Sequence, residues 1–344
     1  MLSIFLPHQI VPQSIYRLGI TYMDIITSAK GKRWDSILEP VMPYGSLLRL
    51  TLQIRLELVR IEPDSHSFDA FSYIHNGILR NQFGTVNLQT WSDGEWTSFR
   101  QRFASTIERF WNHKLVLMPT QPWYAYSDPW SVNRIDPSRI GCSLSIQVVD
   151  TPAGNPVHFR FGCVKTSDSF RSYASPEWRS GMLSQVDLNQ QPSWRSISFK
   201  DHFHMVRFQQ ITAVHEIGHV LMLNHPRGPG GEEWAYGTTY EEHSSIMGAG
   251  DVVSATMARP WQQTLDKHLV RQTNADRKLQ FSGVLDSNVL DHSWASVNLL
   301  AFSKKTLAEM PESNPGHNGL PSIETSTPKG PAGVDWKHLP FTQH

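Results

Sequence analysis

The sequence predicts an α+β fold, and three observations predict it. Leu48–Ile61 reads LRLTLQIRLELVRI, with Leu48, Leu50, Leu52, Ile54, Leu56 and Leu58 alternating with Arg49, Thr51, Gln53, Arg55 and Glu57. That period of two is the pattern of a strand with one buried face. Thr97–Trp111 instead places Phe99, Phe103, Ile107, Phe110 and Trp111 at helical spacing. Beyond these, strand-like and helix-like runs interleave, with no internal repeat.

The elements follow in order. Residues 1–45 hold mixed apolar and turn signals, including Pro40 and Pro43, and read as an N-terminal extension. After the Leu48–Ile61 strand comes a polar connection through Asn76, Gly77 and Gly94, then the Thr97–Trp111 helix and a short strand, Lys114–Met118, ending at Pro119. Gln121–Trp130 is an aromatic loop with Trp123, Tyr124, Tyr126 and Trp130, expected to pack over a core edge or line a groove. Ile140–Val149 and Val157–Val164 are strand-like runs around a Thr151–Pro156 turn. As a hairpin they would set Cys142 nearly opposite Cys163, so a disulfide and two buried thiols both stay open. Met182–Leu188 is a further strand candidate. A long helix is expected over His202–Leu223, with Asp201 or Ser198 to cap it and no proline before Pro226. Ala258–Val270 reads as a closing helix, and Asp286–Met310 has scattered helical periodicity. From Pro311 the chain is rich in Pro, Gly, Ser and Thr, the composition of a disordered tail.

Composition excludes several functions. The 344 residues carry 31 Lys+Arg and 31 Asp+Glu, so the formal net charge is zero and the footprint of a nucleic-acid binder is missing. No apolar stretch approaches the ~20 residues of a membrane helix, so no membrane span is expected. Met1–Val11 is apolar but contains Pro7 and His8, and it lacks a basic leading segment and a small-residue cleavage site. It does not read as a signal peptide, and the compartment stays open. Two cysteines cannot make a disulfide scaffold or a four-Cys metal site. Gly228–Gly231 has no Lys-Ser/Thr after it and follows no strand, so it is no phosphate loop, and no serine nucleophile elbow is present.

The chemistry lies in Thr212–Pro226, TAVHEIGHVLMLNHP. Residues four apart on a helix lie about 40° apart on one face. His215 and His219 can therefore aim their nitrogens at one point. Glu216 stands beside them, near enough to serve a bound water without being a ligand. A third ligand is needed, and His225 is the natural one: Pro226 biases its predecessor to extended backbone, so the helix should end by Leu223 or Asn224 and let His225 turn back. With 16 histidines in the chain, the HExxH spacing arises by chance in roughly 3% of such compositions, and with His225 fixed in about 0.1%. Glu241, Glu242, Cys142 and Cys163 are the alternative third ligands.

HEIGHVLMLNH resembles the extended zinc motif HExxHxxGxxH of the metzincin metallopeptidases. Ser244-Ser245-Ile246-Met247-Gly248, with Met247 lying 22 residues after His225, is similar to that family's Met-turn. The resemblance implies a metzincin-like catalytic domain over residues 46–272: a mixed, mostly parallel twisted sheet, an active-site helix and a closing C-terminal helix. Residues 273–310 would then be an extension packing on it, and 311–344 the tail. It further implies a zinc-dependent endopeptidase holding one catalytic Zn2+ on His215, His219 and His225, with Glu216 as general base and a protein or peptide as substrate. One departure stands out: Met222 occupies the position of the family's usual glycine, where positive φ costs a side-chain-bearing residue about 1–2 kcal/mol. Tyr236 and Tyr240 are candidates for a second electrophile, and the loop 227–243 borders the region where the family sets specificity. His202, His204, His243 and His268 read as ordinary structural histidines. The competing functions are a zinc-binding recognition or toxin-like module without hydrolysis, and an amidase acting on a non-protein amide.

Overall fold

Alternation at residues 48–60 produces the strand around which the sheet is built. The computed structural model describes residues 27–41, 48–69, 71–119, 140–150, 156–199, 202–229, 231, 233–269 and 281–286. The aromatic segment Gln121–Trp130, residues 1–26, residues 151–155 and everything past 286 lie outside the described residues, so the expected tail and the 287–310 periodicity do too. Within them the order is β1 (Thr27–Ala29), β2 (Asp35–Pro40), β3 (Leu48–Arg60), β4 (Tyr73–His75), β5 (Ile78–Asn81), β6 (Gly84–Asn87), α1 (Asp93–Trp111), β7 (Leu115–Pro119) and β8 (Ile140–Val149). There follow β9 (Phe159–Val164), β10 (Tyr173–Ser175), β11 (Ser180–Ser184), β12 (Gln190–Phe199), β13 (His202–Ile211), α2 (Thr212–Val220), α3 (Tyr240–Ser244), α4 (Arg259–Leu269) and β14 (Phe281–Leu285).

The main sheet runs β10-β11-β9-β3-β8-β7-β14, with β2 and β1 added beside the first half of β3. Its centre (β11, β9, β3, β8) is parallel and its margins are antiparallel. The class is thus mixed α and β with few helices. Leu50, Leu52, Ile54 and Leu56 are fully buried, while Arg49, Thr51, Gln53 and Arg55 are half-buried. The apolar row faces one core that also holds residues of α1, α2 and α4. Burying each such side chain contributes about 1.5–3 kcal/mol. A smaller core lies under the β4–β6 meander, where Ile74, Leu79 and Val86 meet Ile61, Val164 and Met182.

Helix α1 begins with a capping box, Ser92 and Glu95 each satisfying the other's backbone amide. It buries Phe99, Phe103, Ile107 and Trp111, the last with its ring 6.5 Å from that of Trp261 in α4. Its polar residues close the exposed edge of β8: Asn112 exchanges two hydrogen bonds with the Leu144 backbone, and Glu108 accepts the Ile146 N–H at 2.6 Å.

Three expectations are corrected. First, β8 and β9 are no hairpin. Both run parallel to β3, on opposite sides of it. Cys142 pairs with Leu50 and Cys163 with Arg60, ten positions or about 33 Å apart along β3. Both thiols are free and buried. Second, residues 202–211 are not helical. They form β13, paired with β12 at ten positions from Gln190↔Ile211 to Phe199↔His202. Burial has period two here, with Met205 and Arg207 exposed and Val206 and Phe208 inward, and this Phe/Val-rich run favours a strand. Third, residues 27–40, expected in an extension, belong to the sheet. Trp34 Nε1 donates to Thr264 Oγ1 at 3.0 Å, and His268 bridges Thr27 Oγ1 (2.6 Å) and Ser36 Oγ (2.9 Å), tying them to α4. Beyond residue 272, β14 pairs antiparallel with β7.

The buried, separated cysteines set a first expectation. Without reductant, thiol titration in denaturant gives two thiols per chain, and the folded protein gives almost none within minutes. A value of zero in denaturant would mean a disulfide that this topology forbids.

Candidate metal centre

Strand β13 runs directly into α2. Ile211 occupies the N-cap position without a side-chain cap bond, and the first turn is tied instead by Ala213 N–H to the Asp187 carbonyl, at 3.0 Å. Nine residues make a helix that is marginal alone. Here nearly every residue is buried, including His215 and Glu216.

The helix ends at Val220, three residues before Leu223. Met222 adopts φ 66°, the left-handed conformation for which its position normally takes glycine. Two bonds close the turn in the Schellman pattern: Leu223 N–H to Gly218 O at 2.9 Å and Met222 N–H to His219 O at 2.8 Å. The chain then reverses, and His225 comes back to the helix.

Its Nε2 lies 3.1 Å from that of His219 and 3.3 Å from that of His215; the latter two are 3.2 Å apart. An ion held tetrahedrally at ~2.0–2.1 Å keeps its ligand atoms about 3.3–3.4 Å apart. The triangle fits that requirement. Backbone acceptors decide where the protons sit. His215 Nδ1–H donates to Ile246 O at 2.7 Å and His219 Nδ1–H to Leu223 O at 2.9 Å. A neutral imidazole has one N–H, so both Nε2 atoms carry lone pairs towards the centre. Burial holds the His215 imidazolium well below its ordinary pKa, with His219 next in effect; burial and then His225 bring His219 down to about 4.

Among the described residues, this is the one group of three or more His, Cys, Asp or Glu side chains placed to share a metal ion. The alternative third ligands are used elsewhere. Glu242 binds Arg227 at 3.0 Å and caps α3, and Glu241 lies in the same short helix. The cysteines are buried in the sheet.

Glu216 is 4% exposed. The Ala174 backbone amide of β10 hydrogen-bonds its carboxylate, and Oε2 has no partner. Burial and then the charge of Asp187 push its pKa up to about 8. Asp187, itself raised to about 6 by burial, accepts from Ser172 Oγ at 2.5 Å and Ser184 N at 2.6 Å.

Of the two tyrosines, one reaches the site. Tyr236 stacks 4.0 Å from the His225 ring and takes a hydrogen bond from Arg171 Nη2 at 3.3 Å, while Arg195 lies over its ring at 5.5 Å. Tyr240 packs on Phe208 at 5.4 Å instead, beside His243. The sequence reading had no grip on Asp187, Arg171, Arg195 or Gln210. Each comes from a different strand or loop, and only Gln210, five residues before His215, was near enough to be noticed.

The turn at 244–248 supports the centre from below. Gly248 N–H bonds Ser245 O at 2.8 Å, and Ile246 N–H bonds Val252 O at 2.8 Å. Gln210 Nε2 donates to Ile246 O (3.0 Å) and Gly248 O (3.1 Å), holding the carbonyl that orients His215. Met247 is buried, and a Cβ added to Gly218 would meet its Sδ at 2.3 Å.

Two outcomes follow. Gly218→Ala costs about 1–3 kcal/mol by overpacking, less up to about 1 kcal/mol regained from helix propensity. Adding Met247→Ala then costs less than the two separate losses predict, and strict additivity in urea titrations of all four proteins would deny the contact. The second outcome concerns pH. His219 has a folded pKa of about 4, below the unfolded value of about 6.5. The unfolded chain therefore binds the proton first, and stability present above pH ~6.5 is lost as pH falls towards 4. In chelator, His219→Gln flattens that acid slope relative to the parent; identical slopes would show that His219 is not held neutral. The chain matches no known protein family, no curated protein and no solved structure.

Proposed function

We propose that the protein is a zinc-dependent endopeptidase of metzincin type, with His215, His219 and His225 holding the ion and Glu216 acting as general base. One observation carries this reading: three Nε2 atoms 3.1–3.3 Å apart, with the protons of two rings locked away on backbone carbonyls. Three imidazoles with a position left for water are the donor set of catalytic rather than structural zinc. Zinc, when bound, polarises a carbonyl and makes water acidic near neutral pH. Glu216, anchored through one side of its carboxylate by Ala174, takes a proton from the attacking water on its unpartnered Oε2 and gives it to the departing amine. The Tyr236 phenol, braced by Arg171, stands beside the triad as a donor for the oxyanion.

The substrate class follows from the sheet margin. Among the described residues β10 is the last strand of the main sheet, paired only with β11, and its Ala174 holds Glu216. An extended peptide can lie along such an edge and bring its carbonyl to the carboxylate. The decisive experiment pairs metal analysis with peptide-library cleavage. The parent and Glu216→Ala each retain about one zinc, while cleavage falls at least about 10³-fold in the variant. His225→Ala loses the metal. Equal cleavage by Glu216→Ala removes the mechanism, and zinc bound without cleavage by the parent turns the reading to a recognition module.

A further inference from the structure

Between the β5–β6 hairpin and the segment leading into β10 is a cavity of about 110 Å³. Leu79, Asn81, Phe83, Thr85, Ser169 and Arg171 are among its lining residues. Arg171 is common to this cavity and to the catalytic side. Its guanidinium lies 4.8 Å over the Phe83 ring, while Nη2 donates to Gly231 O at 2.5 Å and to Tyr236 Oη at 3.3 Å. These bonds position the guanidinium without neutralising it: among the described residues no carboxylate pairs with Arg171. The nearest acid in sequence, Asp168, is taken up by the backbone and side chain of Asn87 at 2.7 and 2.9 Å.

We propose that this cavity is a subsite for a carboxylate on the substrate, recognised by Arg171 and adjoining the bond to be cleaved. The inference rests on the peptidase reading for the nature of its ligand. With both Nη2 hydrogens engaged, the positioned guanidinium keeps Nε–H and the Nη1 hydrogens as charge-assisted donors for a carboxylate. The rest of the lining suits an anion. Asn81 Oδ1 already accepts the Phe83 N–H at 2.8 Å, so its side chain has donors left to offer, and Thr85 and Ser169 add hydroxyls. The volume equals that of three to four waters at about 30 Å³ each, room for the side chain of aspartate or glutamate. Arg195, its guanidinium 5.5 Å over the Tyr236 ring, adds positive charge near the same phenol. The charges of both arginines are felt at Tyr236, and that of Arg171 also at Glu216. An acidic side chain and a free C-terminal carboxylate share this chemistry.

The test measures binding without catalysis. Dye-labelled octapeptides on an alanine–leucine background, carrying one glutamate or one glutamine at each position and ending in either amide or free acid, are titrated by anisotropy against the full chain in chelator. The parent binds carboxylate members at least about tenfold tighter than their neutral twins. Arg171→Gln removes that preference while leaving the glutamine amides unchanged. Arg171→Lys, which keeps the charge without the planar guanidinium, retains part of it and serves should Arg171→Gln not fold. If amidated glutamate peptides carry the preference, the ligand is an acidic side chain; if only free acids do, it is a chain terminus. Equal binding of charged and neutral members overturns the proposal. So does a preference that survives in Arg171→Gln, a loss shared equally by neutral peptides, or no binding by any member. Zinc-loaded protein that keeps the preference yet cleaves nothing would overturn the peptidase reading and leave the subsite standing.

Discussion

Two hydrogen bonds decide what the centre can be: His215 Nδ1–H to Ile246 O and His219 Nδ1–H to Leu223 O. Each commits the single proton of a neutral ring to a backbone carbonyl, leaving a lone pair on Nε2. The two lone pairs, 3.2 Å apart, repel one another unless something positive lies between them. Neither bond comes from α2 itself. Ile246 is in the turn after α3, and Leu223 follows the reversal at Met222. The geometry of the triad is therefore a property of two backbone turns that grip one short helix.

Polar burial around α2 would be costly without those partners. Asp187 illustrates how the cost is offset. Its carboxylate gathers Ser172 Oγ and Ser184 N, and its carbonyl receives the first tied amide of α2. One residue thus joins the segment before β10, the end of β11 and the start of α2. Glu216 is linked to the same sheet margin through Ala174. The sheet edge and the Glu216 carboxylate therefore cannot shift independently.

Sequence periodicity was informative where one physical demand acted alone. β3 has only to bury one face, and its alternation placed it within a residue; α1 ends where expected, at Trp111, but starts at Asp93, four residues before the expected Thr97. The triad was legible because a helix fixes the angle between residues four apart, and Pro226 announces the break. Failure came where two demands overlapped. Val206, Phe208 and Ile211 suit a helix face as well as a strand face, and the unmistakable helix at His215 drew the reading backwards into β13. Cys142 and Cys163 looked like a hairpin because nothing local says that β3, some eighty residues earlier, lies between their strands. Asp187 and Arg171 reach the site through tertiary contacts, which carry no local signal.

Met222 shows why a residue that strains the backbone can still fit. Its left-handed φ costs about 1–2 kcal/mol against a glycine there. Glycine, however, would enlarge the conformational freedom of the unfolded chain and contribute no side chain. Met222 is partly buried against the main core, next to fully packed Leu221 and nearly buried Leu223. The side chain therefore recovers by burial much of what the torsion costs. The turn also has no alternative conformation to relax into: an α-helical Met222 would carry Leu223 O away from His219 and His225 away from both partners. Packing at 221–223 holds the strained torsion, and the strained torsion holds the third imidazole.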